Sequence, residues 1–204
     1  MDLQLILQEH LLWLENKGGK CADLRHADFT GTNLMGVNLS YANLKGARMR
    51  GINLTGAIFY GAYLKGVDFS NSNLIDVNLK GANLVDANLN NADLRSVNLR
   101  SANLRGANLR NADLRNADLS DADLSGADLN DAKLPIYSKL TFSIQKNRLT
   151  IDRNTKTFEE WKDWFENTDS GFGLKRNTNE FKRVQAMFYA YKSYYEFLNN
   201  NLKQ

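Results

Sequence analysis

Five aspartates, Asp118, Asp121, Asp123, Asp128 and Asp131, fall in a stretch, residues 116–132, that has no basic side chain. Immediately before it, Arg95, Arg100, Arg105, Arg110 and Arg115 recur at every fifth position. Paired carboxylates can act as general acid and base when a cleft brings them to a substrate. A row of guanidiniums can track a nucleic-acid backbone. Both patterns repeat along the chain instead of converging, which argues against a pocket and gives the Asp and Asn side chains a simpler role as turn supports. His10 and His26 are the only imidazoles and Cys21 the only thiol, so neither a structural zinc site nor an intramolecular disulfide is expected. No GxSxG, P-loop or HExxH is present. No catalytic residue, metal or cofactor is therefore expected, and the charged residues are candidates for contact with a partner.

These charges ride on a strict period of five. A centre residue occupies position 24 and every fifth position to 134, making 23 pentads in which 19 centres are Leu, three are Phe (Phe29, Phe59, Phe69) and one is Met49. Two residues before the centre stands Ala in 16 pentads. Two residues after it stands mostly Gly, Asn, Asp or Ser, the types that tolerate tight-turn dihedrals. Period five suits neither an α-helix, near 3.6, nor a strand, at 2. A chain that turns every pentad and buries one large and one small apolar group per turn closes a four-sided coil of about 20 residues, with coils stacked as parallel strands. At about 4.8 Å per coil the rod is roughly 27 Å long. Leu24, Leu44, Leu64, Leu84, Leu104 and Leu124 then form one interior column.

The run "ADLRNADLSDADLSGADL" resembles the pentapeptide-repeat family, whose pattern is A(D/N)LxX, over residues 22–134. The resemblance implies a mainly β fold, a right-handed quadrilateral parallel β-helix. Three segments follow: an N-terminal cap helix in 1–21, the β-helix in 22–135, and a C-terminal β-hairpin with two helices in 136–204. In the cap, Leu3, Ile6, Leu7, Leu11 and Leu14 recur at helical spacing before Gly18 and Gly19. Pro135 ends the repeat. Leu140, Phe142 and Ile144 alternate as in a hairpin. Thr157 with Glu160 forms a capping box for a short helix, and Asn177 with Glu180 repeats the device after a flexible "DSGFG". The last helix carries Phe181, Val184, Phe188, Tyr191, Tyr195 and Leu198 as an apolar stripe, which either caps the solenoid's open end or forms a homodimer.

Charge narrows the functional reading. The chain is +3 overall, and the repeat block 22–135 holds 12 basic and 12 acidic residues. The family resemblance implies inhibition of gyrase-type topoisomerases by a rod that mimics duplex DNA. A duplex carries one charge per about 1.7 Å, so a mimic of this length needs roughly 16 negative charges and the neutral block does not supply them. Only the acidic coil can imitate a short piece of DNA. The entry "LQEHLLWLENKGGKCADLRHADF" and exit "TFEEWKDWFE" resemble short phage and prophage members of the family. The expectation is a cytoplasmic, non-enzymatic interaction module of phage type. Its partner would be a host DNA- or RNA-handling protein, either a topoisomerase or an anti-phage nuclease complex. The alternatives are direct nucleic-acid binding through the Arg belt and the basic tail (Arg148, Arg153, Lys175, Arg176, Lys182, Arg183) and a purely structural scaffold. No signal peptide and no membrane span are expected.

Overall fold

The computed structural model describes residues 2–129, 131–133, 135, 142–145, 148–151, 154–167, 170–171, 174–175, 184, 188 and 192. Leu24 N–H donates to the Asn43 carbonyl at 2.7 Å and Asn43 N–H to the Ala22 carbonyl at 3.0 Å, pairing one pentad with the pentad 20 residues on. Parallel bridges repeat this register from Asp23↔Asn43 to Asp113↔Lys133. Four pentads therefore close one coil, and the rod has four faces. We name them in chain order: face 1 holds centre Leu24, face 2 Phe29, face 3 Leu34 and face 4 Leu39.

Each N–H of the pentad has its own destination, and this explains the repeat. The centre and the residue before it bond to adjacent coils as above. At the turn position His26 N–H reaches the Lys45 carbonyl at 2.9 Å, and Ala27 N–H closes the turn on the Leu24 carbonyl at 3.2 Å. The N–H just after the centre is left for a side chain: Thr30 N–H donates to Asp28 Oδ1 at 2.9 Å and Arg105 N–H to Asn103 Oδ1 at 3.1 Å. Asp or Asn precedes the centre because it supplies that acceptor. Every turn position from His26 to Asp131 has positive φ, the signature of a type II turn, which Gly, Asn and Asp adopt at least cost.

Arg48, Ile58 and Tyr63 stand where this acceptor belongs, and Lys133 does too but precedes Pro135, which has no N–H to satisfy. In the same column as Tyr63, Asn43 accepts from Lys45 N–H at 3.3 Å and Asn83 from Val85 N–H at 3.1 Å. The substitution Tyr63→Asn should give the Lys65 N–H the same partner and stabilise the rod by about 0.5–1.5 kcal/mol. Thermal melting checks this, and a lower midpoint than wild type would contradict it.

The lumen is filled. The face 1 leucines are buried at every level, and face 2 carries Phe29, Met49 and Phe69 before continuing as leucine. Phe59 on face 4 meets Phe69 edge-to-face across the lumen at 6.1 Å. The one inward serine, Ser72, is satisfied by donating to the Met49 carbonyl at 2.5 Å.

Helix α1 (Leu3–Leu14) plugs the first coil, with the Asp2 side chain accepting from Leu5 N–H at its start. Leu3, Ile6 and Leu7 pack on the core, and His10 is fully buried. Leu11, expected on this stripe, is instead 50% exposed. The helix turns His10 inward because its Nδ1 accepts the Ala22 N–H at 3.1 Å, a bond the first coil cannot make to a preceding turn. Gly19 ends the cap at φ +72, where a Cβ would lie 2.1 Å from the Glu9 carbonyl oxygen.

In the C-terminal segment, β1 (Phe142–Gln145), β2 (Arg148–Ile151) and β3 (Asn154–Thr157) form an antiparallel meander, one strand more than the expected hairpin. The polar "NTKT" of β3 has no apolar alternation to announce it. Helix α2 (Phe158–Asn167) starts with the expected capping box: Thr157 N–H donates to Glu160 Oε2 at 2.7 Å and Glu160 N–H to Thr157 Oγ1 at 3.2 Å. Ser170–Gly171, in the stretch expected to be flexible, forms β4 and pairs with β5 (Leu174–Lys175) just after that stretch. Trp161 donates to the Leu149 carbonyl at 2.7 Å, and Phe188 packs on Phe165 at 5.0 Å and on Phe158 at 6.1 Å. Val184 and Phe188 are thus buried within the chain. Phe181, Tyr191, Tyr195 and Leu198 lie outside the described residues, as do Leu140, Asn177 and Glu180.

Candidate functional site

With the interior filled, chemistry is confined to the outer skin. The coil distributes the acidic residues around it. Asp118, Asp123 and Asp128 precede the centres of faces 4, 1 and 2, while Asp121 and Asp131 occupy turns. Asp118, Asp121 and Asp123 therefore flank a single corner, and Asp128 and Asp131 lie on the next face and its turn. Asp118 Oδ1 accepts from Ser120 N–H at 3.0 Å and from its hydroxyl at 2.6 Å, and Asp123 Oδ1 from Ser125 N–H at 3.0 Å. These carboxylates support turns with one oxygen.

Most of the arginine belt is engaged. Arg95 grips Asp93 at 2.7 Å and Arg115 grips Asp113 at 2.5 Å within their own pentads. The guanidiniums hold both carboxyls below their ordinary pKa, so Asp93 and Asp113 are fixed anions unsuited to proton donation. Arg100 reaches across to Asp121 at 3.7 Å and Arg110 to Asp128 at 3.4 Å, coupling belt to acidic coil. Arg105 makes no ion pair among the described residues and borders an open groove of about 380 Å³ with Asp86, Asn103 and Ser125. The turn glycines Gly106 and Gly126 leave that groove room. No group of three His, Cys, Asp or Glu among the described residues could hold a metal. Burial pushes the Cys21 thiol above its ordinary pKa, with Asp23 adding to the shift, which disfavours the reactive thiolate.

One feature escaped sequence reading. Trp13, Tyr41, Tyr60 and Tyr63 gather at the corner where face 4 turns into face 1, exposed by 37%, 52%, 37% and 38%. Trp13 meets Tyr41 at 6.4 Å, Tyr41 meets Tyr60 at 5.3 Å, and Lys80 Nζ lies 6.0 Å from the Tyr60 ring centroid. Tyr60 and Lys80 are 20 residues apart, so a coil-length register applied to the sequence finds that pair. It does not find Trp13, which arrives on α1.

The family model for pentapeptide repeats matches residues 20–56, 32–71, 57–95, 72–111 and 98–134. No curated protein matches the chain. Among solved structures, the chain is similar to the pentapeptide repeat protein Rfr23 from the cyanobacterium Cyanothece 51142, at 35% identity and TM-score 0.38, covering 48% of this chain and 60% of that one. It is also similar to HetL from Nostoc sp. strain PCC 7120, a protein involved in heterocyst differentiation regulation, at 32% identity and TM-score 0.39, covering 56% and 58%. A third is QnrB1, a plasmid-mediated fluoroquinolone resistance protein, at 20% identity and TM-score 0.32, covering 54% and 59%. The chain thus spans about three-fifths of the length of each.

Proposed function

The chain belongs to the pentapeptide-repeat family, whose fold is the right-handed quadrilateral β-helix, and on that premise we propose a non-enzymatic interaction module that binds a nucleic-acid-handling protein of a bacterial host cell. The observation that carries this reading is the filled lumen, which leaves a rigid, charge-banded skin as the working surface. The corner formed by Asp118, Asp121 and Asp123, extended by Asp128 and Asp131, is the contact, and Arg105 with the rest of the belt orients the partner's approach. Carboxylates held on a stiff ladder can stand in for a few phosphates, giving partial DNA mimicry on a topoisomerase or a nuclease complex. The inhibitory, phage-type role follows from the resemblance of the end segments to phage members. Ion pairing of Arg95, Arg100, Arg110 and Arg115 favours this reading over direct nucleic-acid binding by the belt. Among the described residues no helix is long and apolar enough to cross a membrane.

A pull-down from bacterial lysate tests the proposal. Wild type should retain a nucleic-acid-handling protein that added duplex DNA displaces. The quadruple variant with Asp118, Asp121, Asp123 and Asp128 changed to Asn, which keeps each side-chain oxygen, should not. Identical capture by both proteins, or capture indifferent to DNA, would overturn it.

A further inference from the structure

At the corner between faces 4 and 1 the rod gives up stability three times. Tyr41 holds φ +63 at a turn position where the next two coils use Gly61 and Gly81, although an aromatic side chain is strained there. Ile58 and Tyr63 replace the Asp or Asn that would accept the N–H of Tyr60 and of Lys65. Sacrifices of this kind cluster where a surface serves a purpose other than folding. What they achieve together is the aromatic group. Tyr41 lies flat on Gly61, where a Cβ would come within 2.9 Å of its ring, and the rings of Trp13, Tyr41 and Tyr60 form one edge-to-face series. No other exposed aromatic occurs among the described residues.

Cations line the same corner. Lys45 and Lys65 follow one another on face 1, about 4.8 Å apart along the axis, and Lys80 stands on face 4. Lys65 is held loosely by Asp86 at 3.7 Å, while Lys45 and Lys80 have no ion pair among the described residues. The column beside them runs Asp23, Asn43, Tyr63, Asn83, Asn103 and Asp123, so its four middle members, level with these cations, are uncharged. Cations at close intervals suit a polyanion, and half-exposed rings between them suit flat, unpaired bases. Duplex DNA hides its base faces in its own stack, and a run of aspartate or glutamate has no ring to place on Tyr41.

We propose that this corner is a binding site for single-stranded nucleic acid, whose bases stack on Trp13, Tyr41, Tyr60 and Tyr63 while its backbone follows Lys45, Lys65 and Lys80. The site shares the face 4 to face 1 corner with Asp118, Asp121 and Asp123 but lies on the coils nearer α1, and it does not depend on the protein partner suggested above.

Fluorescence anisotropy of the full chain with labelled oligothymidylate and oligouridylate of about 15 nucleotides tests the site. Binding should be seen at about 50 mM salt and weaken as salt rises. The double variant Tyr41→Ala/Tyr60→Ala should weaken binding at least about tenfold. The substitution Tyr63→Asn should also weaken it while melting no lower than wild type, which separates lost contact from lost fold. Binding of either strand supports the site. No binding at low salt, equal competition by poly-glutamate or by a duplex of the same charge, or wild-type affinity in both variants would overturn the proposal.

Discussion

Phe69→Ala is expected to lower unfolding free energy by about 3–5 kcal/mol, the range for deleting a fully buried aromatic ring. Phe69 is fully buried in the middle of the rod, and its ring meets Phe59 across the lumen. In a solenoid each coil is held only by its neighbours, so a cavity there weakens two interfaces at once. Leu129, nearer the far end of the described coils, keeps 9% of its surface exposed and has room to relax. Leu129→Ala should cost less, about 2 kcal/mol. Urea unfolding of both variants decides the matter. Equal losses would mean that position along the stack carries no weight, contrary to nearest-neighbour coupling.

Acid should loosen the N-terminal cap through His10. The ring is fully buried against Trp13, its Nδ1 accepts the Ala22 N–H, and its Nε2 has no hydrogen-bond partner. Burial lowers its pKa from 6.5, and attraction from the Ser40 carbonyl offsets only part of that shift. A proton on Nδ1 would also face the Ala22 N–H. The unfolded chain therefore binds the proton more tightly than the folded one. Stability from the neutral ring is complete above pH 6.5 and falls as the pH drops from there through the folded value, by about 1.4 kcal/mol for each unit separating the two. Protection of the α1 amides, measured against their intrinsic exchange rates at each pH, should fall between pH 7.5 and 5. His10→Gln, which retains an acceptor and does not titrate, should remove most of that change. A cap equally protected at both pH values, or an unaltered response in the variant, would exclude His10 as the cause.

The solenoid and its register are legible in residues 22–134 because a four-sided coil gives each backbone N–H of the regular pentad a partner. Asp28, Asn103 and their equivalents can be identified as turn supports from position alone, as can the capping box of Thr157 and Glu160. Leu11 and β3 were not legible. The inward face of α1 depends on the Ala22 N–H, which becomes an orphan only once the first coil exists, and "NTKT" pairs because Arg148–Ile151 lies beside it. The arginine belt and the acidic coil could be counted in sequence, but not their pairing. Arg100 and Asp121 meet because one turn of the coil brings residues about 20 apart to the same corner, one directly above the other.

The sequence by itself determined the four-sided coil, its leucine column and the height of each charge along the rod, since these follow from local hydrogen bonding and a fixed period. Tertiary structure alone decided which side chains of different segments became neighbours at the surface. Trp13 joins Tyr41 and Tyr60 through the docking of α1, and His10 leaves water because that docking places it over an unfilled N–H. Periodicity specifies distance along the axis, whereas contact across a corner or between a helix and a coil depends on packing between segments that no local pattern encodes.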